Sequence, residues 1–220
     1  MTRTTTPAHA GGRVRIGAAG AGLLAAMLLL GWAVHDDVPG IDAAVRHAAS
    51  GTAHTAFGHL AMLWLGVFNP RLPQIGLVLM VLWTAWAALR GRRDLALLLG
   101  RTTLVMAACA AEVQFKYLFR RELPIHLPPG MHRYAYPSGH TTAVAAFAIP
   151  LVILTARLAH RHWRTAAVLA AAIVTVTATC LVALGAHYFT DVVGATLGTT
   201  GVALLTAALL DLLPAKPRAA

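Results

Sequence analysis

Of 220 residues, 58% are hydrophobic and 12% charged, with a mean hydropathy of +0.66 and a formal net charge of +10. A soluble domain carries about a quarter charged residues, whereas here apolar runs of roughly 18 or more residues recur, which excludes an ordinary soluble domain and gives an all-α, polytopic membrane bundle. The cations stand in short clusters beside the apolar runs, as topology signals do, and not along a soluble face, which argues against a nucleic-acid partner.

In chain order, a polar tail of residues 1–15 leads into a first predicted span over Ile16–Val34. Basic residues precede it, as in a secretory signal. Its apolar core is longer than the roughly 7–15 residues of a signal and no small-residue cleavage site follows, so it is expected to be retained. Residues 35–71 are amphipathic and predict an extracytoplasmic stretch with one or two interfacial helices. Spans two and three are predicted over Leu72–Leu89 and Leu95–Phe115, joined by the basic turn RGRRD. A long polar connection, 116–140, precedes the fourth span over Thr141–Ala156. The basic turn RLAHRHWR leads to the fifth over Thr165–Gly185, and the sixth runs over Val192–Leu213 before a tail of residues 214–220.

The membrane domain is thus residues 16–213, six transmembrane helices with no evident internal repeat. Arg90, Arg92 and Arg93, Arg157, Arg161 and Arg164, and the flanking Arg13, Arg15, Lys216 and Arg218 assign their loops to the cytoplasm by the positive-inside rule. Both termini are then cytoplasmic, and the connections at 35–71, 116–140 and 186–191 share the outer face of the cell's inner (plasma) membrane. Cys109 and Cys180 fall inside apolar runs and read as small core residues, without metal or disulfide spacing.

Three polar constellations collect at the outer span ends. EVQFKYLFRRELP holds Glu112, Lys116, Arg120 and Arg121, with Lys116 and Arg120 on one helical face. Basic side chains that snorkel at the interface are one reading, but their outer placement runs against the positive-inside bias. YPSGH holds Ser138, a helix cap, and Gly139 and His140 in the first turn, where free amides make an anion site. GAHYFTD holds His187 and Asp191 at i, i+4, a spacing at which a carboxylate fixes the imidazole tautomer and leaves the other nitrogen as base or nucleophile. Other histidines match no metal set: His35, His47, His54 and His59 read as exposed, His160 and His162 as part of the basic turn, and His126 and His132 as lining a substrate entrance.

Lys116…Pro124, Pro137-Ser138-Gly139-His140 and His187…Asp191, in this order around spans three to six, resemble the type 2 phosphatidic acid phosphatase (PAP2) superfamily of membrane lipid phosphatases. The resemblance covers roughly residues 35–213. It implies a metal- and cofactor-independent hydrolase for a lipid phosphate in the bilayer. His187 would attack phosphorus, Asp191 would orient it, and His140 would protonate the leaving group. Lys116, Ser138 and the Gly139 amide would hold the phosphoryl oxygens, where developing charge needs preplaced donors.

Two motif arginines are leucine in this chain, Leu123 before Pro124 and Leu181 six residues before His187. A leucine cannot make an arginine's bidentate phosphate contacts. Arg120, Arg121 and Arg133 are the expected substitutes. The implied function is an integral-membrane phosphatase for a lipid phosphomonoester or pyrophosphate, acting through a phospho-histidine at the outer face. A phosphotransferase on the same scaffold and an inactive phospholipid-binding protein are the rivals.

Overall fold

The computed structural model describes residues 7–125 and 133–213. Its elements are α1 (Pro7–Val34), α2 (Gly40–Ala48), α3 (Ala56–Val67), α4 (Leu72–Leu89), α5 (Arg93–Ala111), the single turn α6 (Lys116–Phe119), α7 (Gly139–Leu158), α8 (Trp163–Ala183) and α9 (Phe189–Leu209). A tight turn over Glu112–Phe115 continues α5 into α6. Six stretches among the described residues are long and apolar enough to cross a membrane, and the chain is a multi-pass membrane protein.

The centre of the bundle is α5, α7 and α9, which pack on one another pairwise, with α4 flanking α5, α8 flanking α7, and α1 flanking α9. Buried Val105, Cys109, Ala146, Ile153, Ala203 and Ala207 fill this centre. Inside a bilayer, lipid tails are as apolar as leucine, so helices associate where small residues let backbones approach. The α1–α9 contact is of this kind. A Cβ on Gly201 would stand 2.8 Å from both Gly20 O and Leu24 N. Both cysteines are free and buried.

The segment before α4 holds two short helices. The nine-residue α2 suits an interfacial helix. The twelve residues of α3 give about 18 Å of helix, short of a roughly 30 Å hydrocarbon core. It lies against α8, where Trp64 Nε1 donates to Thr177 Oγ1 at 2.9 Å, and only its Gly58 and Ala61 are buried. The turn at Asn69, whose Oδ1 accepts from Arg71 N, leads into α4, which coincides with the expected second span. The apolar stretch Ala56–Leu89 thus contains both α3 and α4.

The bundle has two ends of different chemistry. The basic turns after α4 and after α7 share one end with Asp211, which pairs with Arg13. The connections α1–α4, α6–α7 and α8–α9 share the other. His35 pairs with Asp36, and His47, His54 and His59 are exposed there; His160 and His162 are exposed at the basic end.

Candidate active site

The site is assembled from three chain segments that end or begin at the same level. The first leaves α6 at Arg120, in the left-handed region at φ 51°, and runs back antiparallel to the start of the YPSGH segment. Glu122 bridges Tyr134, and Ala135 N donates to Arg121 O at 2.7 Å. This clasp sets Leu123 beside Arg133 and Tyr134. His126 and His132 lie outside the described residues.

The second segment is the start of α7. Tyr136 is fully buried, and its hydroxyl donates to Met27 O of α1. The ring occupies space that only a glycine leaves at position 194 of α9, where an added Cβ would overlap it. Burial first, and then the carboxylates of Glu112 and Asp191, push the Tyr136 phenol above its ordinary value, so it remains a donor. Ser138, also fully buried, caps the helix: its Oγ accepts from Thr141 N at 3.4 Å and its carbonyl from Thr142 N at 2.9 Å. The amides of Gly139 and His140 are left as the free donors of the first turn.

The third is the α8–α9 turn. Gly185, at φ 68°, ends α8, and Ala186 N returns to Leu181 O at 2.9 Å, the helix stop for which glycine is the favoured residue. The turn presents His187, and α9 begins immediately after it. Asp191 Oδ2 accepts from Tyr188 N at 2.9 Å and lies 3.3 Å from His187 Nδ1. One carboxylate therefore anchors the turn and holds the imidazole, leaving Nε2 unengaged by Asp191.

These segments, with Pro70 of the α3–α4 turn, enclose a cavity of about 410 Å³ whose lining includes Lys116, Arg133, Gly139, His140 and His187 together with Leu123, Leu181 and Tyr117. The Lys116 ammonium stands over Gly139: a Cβ there would be 3.4 Å from Nζ. Two side-chain cations, two imidazoles and two free amides thus converge, an arrangement that binds an anion and offers it a nucleophile and a proton donor. A larger, mostly apolar cavity of about 700 Å³ between α8 and α9 holds none of these groups.

Lys116, Gly139, His140 and His187 come together at the cavity, joined by Arg133, one of the three expected substitutes, with Asp191 directly behind His187. Ser138 is a cap beneath the cavity wall, not part of its lining. Arg120 is exposed and turns Nε to Tyr117 O at 3.2 Å, away from the lining. Arg121 departs furthest from its expected role. It is 3% exposed, and its Nη1 donates to Asp191 Oδ1 and Thr190 Oγ1, both at 2.7 Å, while Nη2 meets Asp42 Oδ2 at 2.7 Å. The guanidinium lies 4.3 Å from the Tyr188 ring centroid. Two carboxylates and an aromatic face engage the guanidinium, and Arg121 does not line the cavity. Glu112 is likewise internal, its Oε2 accepting from Thr142 Oγ1 at 2.8 Å and from Thr199 Oγ1 at 3.3 Å.

Asp42 and Thr190 were not found by sequence reasoning. The available signal was an acid in the stripe of α2 that also carries Val45 and continues to the C-cap Ala49, the face a helix turns to its protein.

Among protein-family models, that of the PAP2 superfamily matches residues 94–213. The fold is similar to the crystal structure of a transmembrane PAP2-type phosphatidylglycerolphosphate phosphatase from Bacillus subtilis. The TM-score is 0.64 at 20% identity, covering 88% of this chain and 96% of that one. No curated protein matches the sequence.

Proposed function

The chain belongs to the PAP2 superfamily, and from this premise we propose that it is an integral-membrane lipid phosphatase working through a phospho-histidine. The observation that carries the reading is the cavity in which Lys116, Arg133, Gly139, His140 and His187 meet, with Asp191 on His187 Nδ1. Nε2 of His187 attacks phosphorus, forming the N–P bond as the P–O bond to the lipid breaks. His140 gives its proton to the departing oxygen, which becomes the lipid alcohol or lipid phosphate. Water then attacks phosphorus, His140 takes its proton, and the N–P bond breaks to release inorganic phosphate and free His187. Lys116, Arg133 and the Gly139 and His140 amides hold the phosphoryl oxygens as charge gathers on them.

The cavity lies at span ends, which suits a headgroup at the interface with its chains left in the bilayer. The basic turns at the opposite end support an outer-face site in the plasma membrane, with both termini cytoplasmic. Substrates of this class are phosphatidic acid, phosphatidylglycerol phosphate, undecaprenyl diphosphate and lipid A phosphates; the Bacillus subtilis structure, named for the second, supports a glycerophospholipid monoester.

The test is phosphate release by the purified full chain in detergent from a panel of these lipids carrying labelled phosphate, with an alkaline denaturing quench that preserves the acid-labile N–P bond of a phospho-enzyme. Wild type should release phosphate and trap label on His187, and His187→Ala should do neither. Release that survives His187→Ala sinks the nucleophile assignment. Lipid binding without release by wild type supports the binding-protein rival, and label passed to an added alcohol acceptor supports the transferase.

A further inference from the structure

We propose that Asp42 and Arg121 are positioning residues for the nucleophile, and that the interfacial helix α2 is therefore part of the catalytic apparatus. The inference rests on the phospho-histidine reading for its chemistry and on geometry for its substance. Asp42 is 1% exposed although α2 is a short surface helix. Its Oδ1 accepts from Thr190 N at 2.9 Å, and its Oδ2 from Thr190 Oγ1 at 2.6 Å and Arg121 Nη2 at 2.7 Å. Arg121 passes the connection on, Nη1 to Asp191 Oδ1 at 2.7 Å, and the other Asp191 oxygen meets His187. The chain of contacts is Asp42, Arg121, Asp191, His187, closed by Thr190, which is bonded to both Asp42 and Arg121.

The charge balance gives this chain its effect. One guanidinium is shared between two carboxylates, so Asp191 keeps an uncompensated share of negative charge toward the imidazole. Without Asp42 the guanidinium would belong to Asp191 alone. Asp191 would then hold the Nδ1 proton less firmly and stabilise less of the positive charge that His187 acquires as the N–P bond forms. Without Arg121, two buried carboxylates would face each other with no cation between them, and Asp191 would lose the partner that holds it against the imidazole. Both losses act on the nucleophile and leave the phosphate donors Lys116, Arg133 and the α7 amides in place.

The test compares wild type with Asp42→Asn and Arg121→Lys in the full chain. With a substrate that wild type hydrolyses, kcat should fall by about tenfold or more, as when the outer partner of a ligating histidine is removed, and KM and inhibition by inorganic phosphate should not move. A rise in KM with kcat unchanged would overturn the proposal and return Arg121 to the phosphate. A second readout needs no turnover: the rate of carbethoxylation of His187 by diethyl pyrocarbonate, followed by mass spectrometry with His140 as internal reference. His187 should react severalfold more slowly in Asp42→Asn while His140 is unchanged. Equal slowing of both, or unchanged His187 reactivity, refutes the coupling. Should wild type hydrolyse nothing, the phosphatase reading fails, and the reactivity ratio still decides the coupling.

Discussion

Leu123 and Leu181 line one cavity with Lys116 and Arg133, so the two motif positions that lost arginine still border the same space. The loss leaves that wall apolar and the phosphate dependent on fewer cations. Leu123, the less buried of the two, is the practical site for restoring charge. Leu123→Arg should lower the inhibition constant of inorganic phosphate by about tenfold, since a charge-assisted hydrogen bond contributes about 1.5–3 kcal/mol. Leu123→Met should leave it unchanged, and an unmoved constant in the arginine variant would show that this wall does not meet phosphate.

Arg133 and Arg120 should separate cleanly in kinetics. Arg133→Ala, at the cavity, should raise KM by about tenfold through loss of one charged contact. Arg120→Ala, exposed and turned to Tyr117 O, should alter neither constant. Equal effects would mean that the loop holds the phosphate from another direction.

Much of this was legible in the sequence, and the reason is local. Asp191 meets His187 within one helical turn, and Ser138 caps the helix it begins, so both follow from spacing alone. The six crossings follow from apolar length. What spacing could not supply was the contact of Arg121 with Asp42, which joins a surface helix to the site over a separation of 79 residues in sequence. An arginine near a span end looks the same in sequence whether it faces phosphate or a buried acid. Nor does apolarity say what α3 packs on, because that depends on Thr177 as a partner for Trp64.

Packing of α1 on α9 should tolerate nothing larger than glycine at its tightest point. Gly201→Val should destabilise the bundle by about 1–3 kcal/mol or more, since backbone atoms and not flexible side chains stand in the way. Thermal unfolding in detergent measures this, and Gly22→Ala, with open space around it, is the control that should not lose stability.

Orientation can be read with single cysteines, because Cys109 and Cys180 are buried. Ser50→Cys, exposed at the site end, should react with a membrane-impermeant thiol reagent on intact cells. Arg161→Cys, exposed at the basic end, should react only after permeabilisation. The reverse pattern would place the site in the cytoplasm.

The start of α7 bears on how such a pocket can change over evolutionary time. The amides of Gly139 and His140 belong to the main chain, so no substitution other than to proline deletes them, and the helix dipole behind them adds positive potential of its own. A site with this floor of attraction can exchange guanidinium groups for leucines and still draw an oxyanion. The side-chain cations around it are then free to drift with the lipid whose headgroup they grip.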